Sequence, residues 1–244
     1  MGCSHSDQHR NTEQEQPRPK VVKAGPAPEA SAKISNKLAL GAGCYWGTEK
    51  YVKKGEFIFC GLFVFSFYST HLTLVESIPK DFQKKFPGAI KEAKVGFMSP
   101  LDKPRIKNPT YFEVCSGRSG HVEVLFVELN DPQKHFEELC RFFFTFHDPT
   151  LKDRQGNDRG FQYSSWIFCG DDEQFEIAKR VKGQLQIAID QKVVKVFQDR
   201  WVVTKICELK EFTVAQAAHQ EYLFKNPNGY CNHRIRMKQW FEPK

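Results

Sequence analysis

The stretch KLALGAGCYWGTEKYVKK, residues 37–54, has the pattern of a strand, a turn and the start of a helix. KLAL is a short apolar run, the glycines of GCYWG mark a turn, and TEKYVKK begins a helix. The pattern therefore predicts a thiol, Cys44, at a strand-to-helix turn. Free backbone N–H groups and the positive end of a helix stabilise a thiolate at such a turn, so we expect a lowered pKa and a nucleophilic sulfur.

The neighbours of Cys44 indicate what the sulfur could attack. Glycines on either side let a substrate approach the backbone closely. Tyr45 and Trp46 supply large apolar faces next to the sulfur. This combination favours a substrate with a small apolar group beside its electrophilic atom. The alternative is that Cys44 is an ordinary buried cysteine of the core.

The rest of the chain mixes strand and helix patterns. HVEVLFVEL (121–129) alternates, which puts Val122 and Val124 on one face of a strand and Glu123 and Leu125 on the other. Mixed elements of this kind predict an α+β or α/β protein with helices packed on a sheet. Further strands are predicted at 164–169 and 201–209, and a long polar loop at 147–163. Helices are predicted at 135–146, at 171–190 and at 215–225, where Asn, Pro and Gly of 226–229 end the last one.

Composition excludes several classes of protein. The chain has 244 residues, 40% of them hydrophobic and 27% charged, which is ordinary for a globular protein. The net charge of +7 is scattered along the sequence, which argues against nucleic-acid binding. None of the eight cysteines has C-x-x-C spacing, so neither a zinc ribbon nor a thioredoxin-type motif is predicted. Because an apolar signal-peptide core is also missing, we expect free thiols in a cytoplasmic protein.

Residues 1–36 are polar and rich in Pro, Ala, Gln and Glu, which predicts a disordered tail. Gly2 and Ser6 fit the myristoylation pattern, and Cys3 could carry a second acyl chain. Two chains would tether the protein to a membrane, whereas one anchors only marginally. The alternative is that so short a pattern occurs by chance.

Residues 55–80 interrupt the pattern of a folded domain that otherwise extends over residues 37–244. The segment is apolar and aromatic, but its run is too short and broken to predict a membrane span. Joining Lys54 to Asp81 would place Val52 and Phe82 on one helix face. We therefore interpret the segment as a translated retained intron or a gene-model error, with a genuine lineage-specific loop as the alternative.

Four motifs in order resemble the type A peptide methionine sulfoxide reductases. They are GCYWG (43–47), NPTYFEVCSGRSGHVEV (108–124), HDPTLKDRQGNDRGFQY (147–163) and NPNGYC (226–231). The resemblance runs from about Leu38 to Cys231, apart from the segment 55–80. It implies an α+β fold, a two-layer sandwich of ferredoxin-like type with helices packed on a mixed sheet.

The resemblance also implies roles for particular residues. The family's nucleophilic cysteine attacks the sulfoxide sulfur, an acid protonates the oxygen, and a second cysteine recycles the first. The first member of the methyl-binding pair is usually Phe in the family and is Tyr here. The matching positions are the nucleophile Cys44, the methyl-binding pair Tyr45 and Trp46, the acid Glu123, the oxygen-binding Tyr111 and Tyr163, the loop carboxylate Asp158 and the recycling thiol Cys231.

The implied activity is repair of oxidised methionine. Methionine-S-sulfoxide, free or in proteins, would be reduced through a sulfenic acid on Cys44 and a disulfide with Cys231, which thioredoxin would reduce. No metal or organic cofactor is implied, and we expect a monomer. Segment 226–231 contains Asn and Gly and is expected to be mobile, so that Cys231 can reach Cys44.

Several positions depart from the family pattern. Ser99 and Pro100 stand where a glycine pair is usual, and Phe161 and Ser164 stand where Thr and Arg are common. The stretch LDKPRIK before NPTY is longer than usual. No cysteine follows Cys231, which predicts a cycle of two cysteines.

Other interpretations of these residues remain open at this point. Glu123 could face solvent, the two tyrosines could be core aromatics, and Asp158 could belong to a turn. A cysteine hydrolase or acyltransferase could use Cys44 with His121 or His147. Alternatively, the segment 55–80 could leave an inert sulfoxide-binding module. The remaining cysteines of the domain are expected to be small buried hydrophobes: Cys115, Cys140, Cys169 and Cys207.

Overall fold

The computed structural model describes residues 34–53 and 81–241. Its helices are α1 (Tyr45–Lys53), α2 (Phe82–Lys85), α3 (Tyr111–Cys115), α4 (Pro132–Phe146), α5 (Asp172–Asp190) and α6 (Tyr222–Lys225), with a 3-10 turn at Phe161–Tyr163. Its strands are β1 (Lys37–Ala42), β2 (Ile90–Met98), β3 (Val122–Leu129), β4 (Arg154–Gln155), β5 (Asp158–Arg159), β6 (Ser165–Cys169), β7 (Lys205–Glu208) and β8 (Phe212–Val214).

Six strands form one mixed sheet in the order β7-β6-β1-β3-β2-β8. β6 and β7 run parallel, and all other neighbours in this sheet are antiparallel. β4 and β5 form a separate small hairpin. The predicted α+β class with helices on a mixed sheet is therefore confirmed. β1 lies near the middle of the sheet, so its carboxyl end places Cys44 beside β3.

The two faces of β3 belong to different apolar clusters. Leu125 and Val127 pack into the main core, together with buried residues of α1, α4 and α5. Val122 and Val124 pack into a smaller cluster on the opposite face. The predicted alternation is confirmed, and it puts Glu123 on the face that carries the helices.

Helices α4 and α5 form where the sequence predicts them. Asp131 caps α4 through a bond from the backbone N–H of Lys134, and Asp171 caps α5 through a bond from that of Gln174. The apolar stripe of α4 is fully buried, which gives this helix its tertiary stabilisation. Its predicted members are Phe136, Leu139, Cys140 and Phe143.

The predicted helix 215–225 is wrong over most of its length, because within it only α6, Tyr222–Lys225, is helical. Its predicted end before Asn226 is confirmed. The Gln220 side chain bonds to the backbone N–H of Val95 at 3.0 Å and to its carbonyl at 2.8 Å. Glu221 then takes a left-handed conformation with φ of +56°. Hydrogen bonds to β2 therefore compete successfully with the helix that the local sequence favours.

Two predicted boundaries also change. Residues 34–36, assigned to the tail by composition, belong to the folded part, since Ile34 is buried and Leu129 N–H donates to Asn36. The predicted strand 201–209 is shorter, because only β7 within it pairs with a neighbour.

The predictions for the acylated tail and for segment 55–80 lie outside the described residues. On either side of that gap, α1 ends at Lys53 and α2 begins after Asp81, whose extended backbone and side chain cap it. Val52 and Phe82 are both fully buried in the main core. Within 34–53 and 81–241, no helix is long and apolar enough to cross a membrane.

Candidate active site

Cys44 lies at the predicted strand-to-helix turn and is only 7% exposed. Gly43 has a φ of +95°, which favours glycine, and a Cβ there would clash with the Gln155 side chain. A Cβ on Gly47 would overlap the imidazole of His233. The glycines around Cys44 therefore allow the side chains of Gln155 and His233 to pack closely against the turn. This is a second role for them, besides the predicted close approach of a substrate.

The prediction of a lowered pKa for Cys44 is wrong. Burial raises the pKa of the thiol well above its ordinary value, and the nearby carboxyl of Glu123 raises it further. The backbone N–H of Trp46 acts in the opposite direction but is outweighed. A thiolate that is removed from water loses more stabilisation than a hydrogen bond from one N–H group at a helix end can restore. Cys44 is therefore held as a thiol in this structure.

Glu123 is 1% exposed and lies beside the nucleophile turn. Its Oε2 accepts a hydrogen bond of 3.1 Å from the backbone N–H of Tyr45, the residue after Cys44. Burial raises the pKa of this carboxyl from 4.5 to about 8, since ionisation would leave a charge in an apolar environment. The solvent-facing alternative is wrong, and at neutral pH the side chain is a protonated acid.

Tyr111 and Tyr163 lie on the same side of the sheet as Glu123, half-buried and packed against the main core. Both hydroxyl groups act on the thiol of Cys115 and oppose the rise that burial gives to the pKa of Cys115. Burial and the Glu123 charge raise the pKa of Tyr163, and burial with the Cys115 bond does the same for Tyr111. Both phenols therefore stay protonated. The prediction that Cys115 is merely a buried hydrophobe is wrong, because it is half-buried and contacts both tyrosines.

An aromatic cluster adjoins Cys44. The Trp46 ring stacks on Tyr222 with centroids 3.9 Å apart and an angle of 19°. His219 lies 5.6 Å from Trp46 and 4.5 Å from Tyr111, again between ring centroids. Its Nδ1 hydrogen-bonds to the hydroxyl of the buried Tyr45 at 2.9 Å. Sequence reasoning missed His219 and Tyr222, because a continuous helix was predicted over 215–225 in place of the turn that brings them to Cys44.

The C-terminal segment ties itself to the 147–163 loop around Asp158. Its carboxylate accepts bonds from the hydroxyl of Tyr230 at 3.0 Å and from the amide of Asn232 at 2.9 Å. His233 donates to the carbonyl of Ala42 at 2.7 Å. These bonds hold both flanks of Cys231 in this structure, and the mobility of segment 226–231 stays a prediction. The Cys231 thiol itself lies 3.9 Å from the carbonyl of His233.

Neither histidine of the hydrolase alternative hydrogen-bonds to Cys44. His147 is fully buried, donating from Nδ1 to the Phe143 carbonyl at 2.7 Å and accepting at Nε2 from Ser165 at 2.8 Å. His121 bonds to the carbonyl of Ser119 at 3.2 Å. Burial lowers the pKa of both imidazoles. In this structure neither His121 nor His147 therefore forms with Cys44 the nucleophile–base pair that a cysteine hydrolase requires.

The atypical stretch before NPTY lines a separate cavity of about 240 Å³. Ser99, Leu101 and Pro104 form part of its wall. His121 and Lys210, which come from other parts of the sequence, also line it. No group of three or more metal-ligating side chains occurs among residues 34–53 and 81–241.

Comparison with known proteins assigns the arrangement to a family. A family model described as peptide methionine sulfoxide reductase matches residues 79–242, which is most of the chain. The chain belongs to the peptide methionine sulfoxide reductase family. The matched range includes Glu123 and both tyrosines, whereas Cys44 lies before it. The reductase resemblance stated from the motifs is thereby confirmed at the level of the family.

Individual reductases extend this result. The peptide methionine sulfoxide reductase MsrA of Saccharophagus degradans is 46% identical over 124 residues, which are 51% of this chain and 55% of that protein. The chain thus spans about half the length of this relative. The MsrA of Clostridium botulinum is 32% identical over 195 residues, covering 80% of this chain and 96% of that protein.

Solved reductase structures have the same fold. Reduced Mxr1 from Saccharomyces cerevisiae superposes with a TM-score of 0.60 at 27% identity, covering 86% of this chain and 96% of the other. Methionine sulfoxide reductase A of Corynebacterium diphtheriae gives 0.55 at 27% identity, with coverages of 86% and 90%.

Proposed function

We propose that this protein reduces methionine-S-sulfoxide, free or within proteins, to methionine. One observation carries the proposal: the thiol of Cys44 shares a buried site with a carboxyl that is protonated at neutral pH. A sulfoxide is a poor electrophile until its oxygen is protonated or strongly hydrogen-bonded. Glu123 is the acid that supplies this proton, and such help is typically worth ~10²–10⁴-fold.

In the first step the sulfur of Cys44 attacks the sulfoxide sulfur, and Glu123 donates its proton to the sulfoxide oxygen. The S–O bond to methionine breaks, the oxygen passes to Cys44 as a sulfenic acid, and methionine leaves. The thiol proton returns to the carboxylate, so the acid is regenerated. The hydroxyls of Tyr111 and Tyr163 donate hydrogen bonds to the oxygen and stabilise its developing charge.

In the second step the Cys231 thiol attacks the sulfenic sulfur of Cys44 and expels water, forming a disulfide. A dithiol protein of the thioredoxin type then reduces this disulfide by exchange. Asp158 and the anchors around Cys231 support the approach of the two sulfurs. The methyl group of the substrate contacts Tyr45 and Trp46.

Further features of the enzyme belong to the same proposal. The core strands β6-β1-β3-β2 are antiparallel, with helices on one face, which supports a two-layer sandwich of ferredoxin-like type. The cysteines among the described residues are free thiols, in keeping with a cytosolic location. We propose a monomeric enzyme without a metal or organic cofactor.

The function is tested with purified protein, dithiothreitol and the two epimers of methionine sulfoxide. The S epimer should be converted to methionine with consumption of thiol, and the R epimer should not react measurably. A hydrolase would instead release acid from an ester without any reductant. Failure to convert the S epimer in the presence of reductant would refute the proposed function.

Deleting residues 55–80 should preserve the activity, because the described site residues all lie outside this segment. FIFCGLFVF has high β-propensity and no charge, which is typical of aggregation-prone sequences, so the shortened protein should also be more soluble. The measurement compares single-turnover rates and soluble yields of the two forms. Loss of activity on deletion would contradict the retained-intron interpretation, and activity only in the shorter form would show that the full chain is inert.

A further inference from the structure

Tyr45 is held at both ends beside the nucleophile. Its backbone N–H donates to Glu123, and its hydroxyl hydrogen-bonds to Nδ1 of His219 at 2.9 Å. The side chain is 1% exposed and packs 5.8 Å from Phe97 between ring centroids. A buried hydroxyl without a partner would be costly, so this bond fixes the geometry of both residues.

His219 is the centre of the aromatic cluster. Its ring is stacked at 22° to Trp46 and also contacts Tyr111, so it touches one wall of the methyl pocket and one oxygen-binding group. Its backbone N–H donates to the carbonyl of Gln216 at 2.9 Å. The Tyr45 hydroxyl is the polar side-chain group that locks the orientation of the imidazole.

We propose that the Tyr45 hydroxyl is a positioning group for the reaction. By orienting His219, it fixes the spacing between Trp46 and Tyr111 and so preforms the pocket for the methyl group and the oxygen of the substrate. The inference rests on the proposed function and adds a positioning residue to the same site. Relatives with the usual Phe at this position lack the hydroxyl, so this positioning role is limited to chains with Tyr.

The test is a double-mutant cycle measured by single-turnover formation of methionine at several concentrations of methionine-S-sulfoxide. Tyr45→Phe deletes only the hydroxyl and should lower the apparent second-order rate constant about tenfold, in line with loss of one buried hydrogen bond. His219→Phe removes the hydrogen-bonding partner of the Tyr45 hydroxyl but keeps a ring for stacking. In this background Tyr45→Phe should cause no further loss, because the hydroxyl acts only through His219.

Tyr51→Phe is the matched control, since it removes another hydroxyl from α1, one that donates to the His233 carbonyl at 3.3 Å. It should leave the single-turnover kinetics unchanged, and thermal melts show whether each variant folds. An unchanged rate for Tyr45→Phe, or losses that multiply in the double variant, would overturn the inference. If His219→Phe does not fold, Tyr45→Phe alone decides. An inactive wild type would refute the proposed function instead.

Discussion

Cys44→Ser is expected to abolish the formation of methionine, lowering the rate by more than about 10⁴-fold, because a hydroxyl cannot accept the sulfoxide oxygen as sulfur does. The sharpest measurement counts methionine formed per enzyme in the absence of reductant. The wild type should form nearly one equivalent and then stop, with Cys44 and Cys231 joined in a disulfide. Cys44→Ser should form none.

Cys231→Ser is the matched control for this experiment, since it makes the same atomic change in the second thiol. It should still form about one equivalent, because the first step needs only Cys44, but thioredoxin should recycle it poorly. A dimedone-type probe should trap the sulfenic acid in this variant. Methionine formation at an undiminished rate by Cys44→Ser would refute the mechanism.

Glu123→Gln is expected to slow the first step by ~10²–10⁴-fold, since an amide keeps the shape of the acid without its transferable proton. The wild-type rate should fall as pH rises through about 8, where the buried carboxyl ionises and can no longer donate. The variant should lose this inflection. The measurement is the single-turnover rate of both proteins across this pH range.

The same substitution should stabilise the fold, which separates loss of the acid from loss of structure. Between pH 4.5 and about 8 the unfolded carboxyl is ionised while the folded one keeps its proton, so stability falls as pH rises through this window. Glu123→Gln removes this loss of stability, because Gln does not ionise in the unfolded state. It should raise the free energy of unfolding at pH 7 by up to roughly 3 kcal/mol. The gain should vanish as pH falls toward 4.5.

Glu128→Gln is the control on the same strand. Glu128 accepts bonds from Lys91 at 2.7 Å and from Asn36 at 2.8 Å, and these bonds lower the pKa of its carboxyl. The substitution should leave the rate and its pH dependence unchanged. An unaltered rate for Glu123→Gln, or an alkaline inflection that survives it, would contradict the role of Glu123 as the acid.

Local pattern predicted most of the elements that build the site. The alternation of 121–129 gave the strand, and it limited Glu123 to one of two faces. The glycine-flanked turn put Cys44 at the end of a strand, and the four motifs indicated a family that the comparison confirmed. Each of these signals depends on residues close in sequence, which is why the chain alone displays them.

Other features depend on residues that are distant in sequence. The local pattern suggested a helix at 215–225, but hydrogen bonds between Gln220 and β2 favour a turn that places His219 beside Tyr45. Bonds to Asp158 and to the carbonyl of Ala42 likewise join the residues on either side of Cys231 to distant parts of the chain. Neither set of partners is visible in the local sequence.

By itself, the sequence determined the order of the elements, the face on which each apolar stripe lies and the chemical types gathered in the site. Only the tertiary structure decided their protonation: burial raises the pKa of Cys44 where a helix end was expected to lower it, and it keeps a proton on Glu123. The physical reason is that periodicity is a property of neighbouring residues, whereas desolvation depends on every segment that closes over a group.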